Sequence, residues 1–225
     1  MNKIRANIPN SITCLNIASG CVAIALAFAG KFDYASIAII AAAVFDFLDG
    51  AMARALGAYS DMGKELDSLC DVVSFGVAPA TLVYLQLPAP ANYCAIFIVV
   101  CGALRLAKFN IDNRQHDGFI GLPIPANALF WIGMTAFWQQ FPPAESQVWT
   151  YAIMTILVAF AMVAPVRLLT LKFHNFKAGK ENNPRFALIL IAIALLISLG
   201  ISGLAVVVAI YFLYGAISTL TEKKL

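Results

Sequence analysis

Charged residues are scarce in this sequence. Asp, Glu, Lys and Arg make up 12% of the 225 residues, whereas 61% are hydrophobic. A soluble globular domain has about 25% charged residues. The composition therefore excludes an ordinary soluble domain. Because the apolar runs are about as long as one bilayer crossing, it predicts an all-α polytopic membrane protein.

Zinc-type ligands are scarce as well. The sequence contains two histidines, and none of its five cysteines forms a Cys-x-x-Cys pair. Structural zinc sites and disulfide frameworks are built from such residues at characteristic spacings. Neither kind of site is indicated.

The apolar sequence divides into about eight segments of spanning length. The first runs from Pro9 to Gly30 and is about 20 residues long, whereas the apolar region of a signal peptide has about 7–15. We therefore expect it to remain as a membrane span. The other seven are predicted at Tyr34–Leu56, Met62–Gln86, Ala91–Asn110, Ile124–Phe141, Gln147–Leu169, Arg185–Leu199 and Ser202–Leu220.

The basic residues predict the orientation of these spans. With eight spans, 14 of the 15 lysines and arginines fall on one side of the membrane, and only Lys31 falls on the other. This asymmetry predicts that both termini lie in the cytoplasm. A single kinked span in place of the last two would put Lys223 and Lys224 on the outer side of the membrane. The charges therefore favour a hairpin near Gly200. Trp131, Trp138 and Trp149 fall near predicted interfaces and are expected to be interface residues.

Four aspartates interrupt the apolar sequence between residues 46 and 71. Asp46 and Asp49 are three apart, and Asp67 and Asp71 are four apart, so each pair lies on one face of a helix. A short turn around residues 58–61 would bring the two helices together. Small residues lie on the same faces and leave room for a ligand, namely Gly50, Ala53 and Gly63.

Facing carboxylates require a cation. At about 5 Å and an effective dielectric constant near 20, each like-charge pair costs roughly 3 kcal/mol. Oxygen ligands without nearby His or Cys favour Mg²⁺ or Mn²⁺, and we expect two ions. A structural ion-pair site has too few partners, since only Arg54 and Lys64 are close in sequence. A cation-coupled transporter is an alternative, although the sequence lacks the internal repeats typical of transporters.

The complete motif resembles the signature of the CDP-alcohol phosphotransferases. It reads Asp46-x2-Asp49-Gly50-x2-Ala53-Arg54-x8-Gly63-x3-Asp67-x3-Asp71. Four further segments are similar to one branch of that family, the integral-membrane phosphatidylserine synthases: Pro9-Asn10-x2-Thr13, residues 66–80, residues 105–110 and residues 121–125. In many relatives Arg is expected where this chain has Lys108.

The resemblance implies a role for each of these residues. Asp46, Asp49, Asp67 and Asp71 would hold the two ions, and Asp71 would also act as general base. The residues expected near the cytidine nucleotide are Asn10, Thr13, Asp49, Gly50, Ala53, Arg54 and Gly63. Arg105, Lys108 and Asn110 are the candidates for the acceptor pocket.

The resemblance further implies transfer of the phosphatidyl group from CDP-diacylglycerol to the hydroxyl of L-serine, giving phosphatidylserine and CMP. Glycerol 3-phosphate, inositol phosphate or choline is the alternative acceptor. The implied architecture is one membrane domain, with a catalytic six-helix core at residues 1–170 and a basic loop and helix pair at 171–225. A homodimer in the cell (inner) membrane is expected, with the active site facing the cytoplasm and no nucleic-acid partner.

Overall fold

The computed structural model describes residues 3–111, 119–169 and 183–222, and these are almost entirely helical. A two-stranded antiparallel sheet, β1–β2, is the exception. The elements in chain order are α1 (Lys3–Phe28), α2 (Phe32–Leu56), α3 (Asp61–Asp71), a π-helix (Val72–Val77), α4 (Ala78–Gln86), a 3-10 helix (Ala91–Ala95), α5 (Ile96–Ile111), β1 (Phe119–Ile120), α6 (Ile124–Gln140), a 3-10 helix (Glu145–Gln147), α7 (Val148–Val163), β2 (Arg167–Leu168), α8 (Asn183–Leu199), a 3-10 helix (Gly200–Ser202) and α9 (Gly203–Glu222).

Six of the described helical segments are long and apolar enough to cross a membrane. They are Asn7–Phe28, Phe32–Leu56, Asp61–Gln86, Ala91–Ile111, Glu145–Val163 and Asn183–Thr221. The last one contains both α8 and α9. The all-α membrane class predicted from composition is confirmed at this level, and the predicted bounds agree with these segments to within a few residues at most ends.

Helix α6 lies at the centre of the bundle and contacts α2, α4, α7 and α9. Trp131 and Trp138 on this helix are 0% and 2% exposed, and their rings lie 6.1 Å apart. The Trp131 indole donates a hydrogen bond to the Asn127 side chain over 3.1 Å. The prediction that these two residues lie at the membrane interface is therefore wrong. Trp149 is 61% exposed, as an interface residue requires.

Helix α7 ends earlier than predicted. The sequence predicts a span through Leu169, but the helix ends at Val163 and Ala164 has an extended ψ of 143°. Ala164 precedes Pro165, and a residue before proline is driven out of the helical region. The chain then forms β2, which pairs antiparallel with β1 between α5 and α6. Neither short strand was predicted.

The chain turns back between α8 and α9. Gly200 has a φ of +60°, and a Cβ on Gly203 would lie 2.6 Å from the carbonyl oxygen of Leu195. This close approach supports the predicted hairpin over a straight 39-residue span. No residue of α8 is buried, whereas α9 packs on α6. The predicted basic loop after residue 170, as well as Lys223 and Lys224, lies outside the described residues.

Candidate active site

A tight turn brings the end of α2 beside the start of α3. Gly57 ends α2 with a left-handed φ of +58°, and its N–H caps the carbonyls of Ala53 and Arg54. Ser60 begins α3, since its hydroxyl accepts a hydrogen bond from the Gly63 N–H over 3.0 Å. Both are standard helix-end signals. The acidic faces of the two helices are thereby brought together.

Three of the four aspartates form a compact cluster. Asp46, Asp49 and Asp67 can each present one carboxylate oxygen within 4.8 Å of the others. Asp49 is 6% exposed, and the other two are partly buried. Oxygen Oδ2 of Asp49 and oxygen Oδ1 of Asp67 are buried, and neither has a hydrogen-bond partner in the described part of the chain. The cluster therefore offers two buried carboxylate oxygens that no donor among the described residues occupies.

Asp71 lies next to this cluster, one helical turn beyond Asp67, but it is not one of its three members. It is 7% exposed, and its Oδ1 accepts a hydrogen bond from Asn16 Nδ2 over 3.3 Å. A π-helix begins at the next residue. Such segments are rare and are often found at functional sites. The carboxyl group of Asp71 is thus oriented by α1 as well as by its own helix.

A cavity of about 220 Å³ opens beside the cluster. Asp49 and Asp67 form its acidic wall, while Asp46 and Asp71 are outside the lining. All seven residues predicted to lie near a nucleotide line it: Asn10, Thr13, Asp49, Gly50, Ala53, Arg54 and Gly63.

Two glycines keep this cavity open. A Cβ on Gly63 would lie 3.0 Å from both Asn10 Oδ1 and Ser60 Oγ. A Cβ on Gly50 would lie 3.4 Å from Nη1 of Arg54, so the guanidinium group folds back over that glycine. The cavity therefore combines a carboxylate wall with an arginine at its edge, an arrangement suited to a phosphate group bound through a cation.

The three acceptor-pocket candidates are in different environments. Arg105 is 7% exposed, lies within electrostatic range of Asp71, and has an Nε without a hydrogen-bond partner. Lys108 is exposed. Asn110 joins α5 to α3, because its Nδ2 donates to Ser68 Oγ over 2.9 Å and its carbonyl accepts from Lys64 Nζ over 3.0 Å. Of the three, Arg105 is the one with an electrostatic interaction with Asp71 within the described part of the chain.

Three residues that were not predicted for this site belong to it: Tyr59 and Ser60 line the cavity, and Asn16 holds Asp71. Lys64, which the sequence places close to the aspartates, also lines the cavity. Asn16 follows Thr13 by three residues, which places it on the same face of α1 and could have revealed it. Tyr59 is in the turn, where helical spacing gives no signal.

The donor set fits divalent cations. The cluster consists of carboxylate oxygens, two of them buried and unpartnered, and hard oxygen ligands of this kind suit Mg²⁺ or Mn²⁺. At these separations each like-charge pair costs roughly 3 kcal/mol at an effective dielectric constant of about 20. A bound cation would offset that cost.

Comparisons with known proteins agree with this arrangement. The family model for CDP-alcohol phosphatidyltransferase matches residues 6–166. A Methanocaldococcus jannaschii protein named CDP-diacylglycerol–serine O-phosphatidyltransferase is 43% identical over 161 residues, which cover 71% of this chain and 72% of the relative. A Bacillus subtilis relative with the same name is 35% identical, over 78% of this chain and 98% of the relative. A Helicobacter pylori relative with the same name is 32% identical, over 93% of this chain and 89% of the relative. Because the family model covers more than two thirds of the sequence and contains the whole acidic motif, the chain belongs to the CDP-alcohol phosphatidyltransferase family.

Proposed function

We propose that this protein transfers the phosphatidyl group of CDP-diacylglycerol to the hydroxyl of L-serine, giving phosphatidylserine and CMP. The observation that carries the proposal is the cluster of Asp46, Asp49 and Asp67 beside a cavity of about 220 Å³. The names of the relatives support serine as the acceptor.

The cytidine nucleotide would bind in this cavity. Gly50, Ala53 and Gly63 have little or no side chain, so the nucleotide can approach the helix backbones closely. Arg54 lies at the edge with its guanidinium group over Gly50, where its planar array of donors can hold phosphate oxygens. Asn10 and Thr13 on α1 complete the lining of the cavity.

Two divalent cations, Mg²⁺ or Mn²⁺, would bind to Asp46, Asp49 and Asp67, with Asp71 completing the site. When bound, such ions neutralise the pyrophosphate and the charge that develops on the leaving nucleotide. Asp49 and Asp67 would hold the ions at the cavity wall, where each has a buried oxygen without a partner among the described residues.

The reaction is a single displacement at the phosphorus that carries the diacylglycerol. The serine hydroxyl oxygen forms a bond to this phosphorus, and the bond between phosphorus and the bridging oxygen breaks. The bonding electron pair leaves with CMP, and the hydroxyl proton passes to Asp71. A positioned base contributes about 10²–10⁴-fold to such a rate. The buried carboxyl group of Asp71, held by Asn16, is suited to that task.

The carboxylate of serine would bind to Arg105, which is buried near Asp71 and has an unpartnered Nε. Lys108 and Asn110 remain candidates for the outer part of the same pocket. Arg105→Ala is therefore expected to raise the KM for serine much more than the KM for CDP-diacylglycerol.

We further propose eight membrane spans with both termini in the cytoplasm, so that the aspartates lie near the inner surface of the cell membrane. This arrangement gives the site access to cytosolic serine and to a lipid substrate. The predicted six-helix core, with the α8–α9 pair added after it, and the predicted homodimer belong to the same proposal.

The proposal is tested with purified protein in detergent, CDP-diacylglycerol, Mn²⁺ or Mg²⁺, and a panel of acceptors. We expect CMP release and labelled lipid with L-serine, and loss of both in a chelator. Turnover with glycerol 3-phosphate, inositol phosphate or choline in place of serine would contradict the proposed acceptor. CMP release without a sealed membrane also separates transfer chemistry from cation-coupled transport, which needs a gradient.

A further inference from the structure

Two buried polar groups near Asp71 have no hydrogen-bond partner among the described residues. One is an acceptor, Oδ1 of Asn16, whose residue is 0% exposed. The other is a donor, Nε of Arg105, whose residue is 7% exposed. Buried polar atoms are nearly always hydrogen-bonded, so unpartnered ones call for an explanation. A bound ligand that supplies the missing hydrogen-bond partners is such an explanation.

Asn16 is held firmly in place. The hydroxyl of Ser74, in the π-helix, donates to the Asn16 carbonyl oxygen over 3.0 Å. Gly20 lies one turn further along α1, and a Cβ there would collide with Ser74, so the two elements are in direct backbone contact. The side-chain Nδ2 of Asn16 donates to Asp71 over 3.3 Å. With the amide nitrogen fixed in this way, the amide oxygen is also fixed.

The two unpartnered groups match an amino acid in their hydrogen-bonding chemistry. An ammonium group only donates hydrogen bonds and a carboxylate only accepts them. The amide oxygen of Asn16 can accept a hydrogen bond from the ammonium group, and the Nε of Arg105 can donate one to the carboxylate. Asp71 interacts with both residues, through the hydrogen bond from Asn16 and through the electrostatic attraction of Arg105. In serine the α-carbon carries both charged groups and is bonded to the carbon that bears the hydroxyl.

We propose that Asn16 determines acceptor specificity, with its amide oxygen binding the ammonium group of the acceptor amino acid while its amide nitrogen orients Asp71. Arg105 binds the carboxylate of the same molecule. This inference rests on the proposed transfer to serine and adds the residue that recognises the amino group. Acceptors with only one of the two charged groups would leave Asn16 or Arg105 unpartnered.

The test compares three acceptors that differ by one group. L-Serine carries both charged groups, 3-hydroxypropionate lacks the ammonium and ethanolamine lacks the carboxylate. We expect Asn16→Ala to reduce the kcat/KM ratio of serine to 3-hydroxypropionate about 10–100-fold, the effect of losing a hydrogen bond to a charged group. The ratio of serine to ethanolamine should change little. Arg105→Ala should show the opposite pattern. For an analogue that is turned over too slowly, its inhibition constant against serine is compared instead.

The controls separate recognition from folding. Asn16→Leu keeps the approximate shape of the side chain and should change the ratios as Asn16→Ala does. Asn92→Ala is a matched control, because Asn92 is 8% exposed, also has an unpartnered Oδ1, and lies 13 residues before Arg105 at the other end of the same span. It should leave both ratios unchanged. Thermal stability and CDP affinity report whether each variant is folded.

The possible failures are distinguishable. If the Asn16 variants bind CDP and lose activity equally with all three acceptors, Asn16 only positions Asp71 and the specificity proposal is wrong. If the unmodified enzyme transfers the phosphatidyl group to another acceptor and not to serine, the proposed function itself is wrong, and the assignment of an ammonium group to Asn16 falls with it.

Discussion

At the scale of single residues, Asp71 differs from the three clustered aspartates in what its carboxyl group contacts. One of its oxygens accepts a hydrogen bond from Asn16, and the residue lies outside the compact cluster. Asp49 and Asp67, by contrast, line the cavity and each have a buried oxygen without a partner. Replacing Asp71 should therefore have a different effect from replacing a member of the cluster.

Asp71→Asn is expected to reduce kcat by about 10²–10⁴-fold, because the amide cannot accept the proton of the acceptor hydroxyl. Binding of CDP in the presence of Mn²⁺, measured by calorimetry, should remain largely intact. Asp46→Asn is the comparison, and it should weaken metal-dependent CDP binding as well as turnover. Equal loss of CDP binding in both variants would indicate that Asp71 acts mainly as a metal ligand.

Helical spacing explains why so much of the site could be predicted from the sequence. Positions separated by three, four or seven residues share a helix face, and this spacing predicts that Asp46, Asp49 and Gly50 lie together. Local spacing places Asn16 on the same face of α1 as Thr13, but its contact with Asp71 joins positions 55 residues apart. Spacing along one helix can indicate the face, and it cannot predict this pairing. The separate environments of Arg105 and Asn110 depend on tertiary packing in the same way.

At the scale of elements, the turn from α2 to α3 determines whether the two acidic faces meet. Gly57 needs a φ of +58°, and no heavy atom lies within 4 Å of the position where its Cβ would be. A substitution there acts through backbone conformation alone. The turn is therefore a place where backbone strain can be separated from side-chain contacts.

Gly57→Ala should lower the free energy of unfolding by about 1–2 kcal/mol, the cost of a left-handed conformation for a residue with a Cβ. The thermal midpoint in detergent measures this loss. Gly57→Asn should lose less, since asparagine tolerates this conformation at helix ends. If the two variants were equally destabilised, conformational strain would not be the cause.

The elements also show where sequence patterns reach their limit. Length and hydropathy predict the helices. The π-helix at Val72–Val77 and the strand pair β1–β2 have no comparable pattern in the sequence. Pro165 indicates the early end of α7, but the continuous apolar sequence predicted a longer helix. Trp131 and Trp138 were assigned to the interface because tryptophan favours it. Packing around α6 overrides that preference.

At the scale of the whole molecule, the distribution of basic residues predicts which ends of the bundle face the cytoplasm. Lys31 lies in the turn between α1 and α2, while Tyr59 lies in the turn between α2 and α3 beside the cavity. Helix α2 is 25 residues long, so the two turns are about 38 Å apart along it, more than the roughly 30 Å of a hydrocarbon core. The two positions therefore report on opposite sides of the membrane.

Single cysteines at these positions test the orientation. In an active variant without the native cysteines, Lys31→Cys should react with a membrane-impermeant maleimide in intact cells. Tyr59→Cys should react only after the membrane is permeabilised. Both residues are exposed, Tyr59 by 71%, so access within the protein limits neither reaction. Labelling of Tyr59→Cys in intact cells, with Lys31→Cys protected, would reverse the topology and place the aspartates at the outer surface. Serine from the cytosol could then no longer reach the cavity directly.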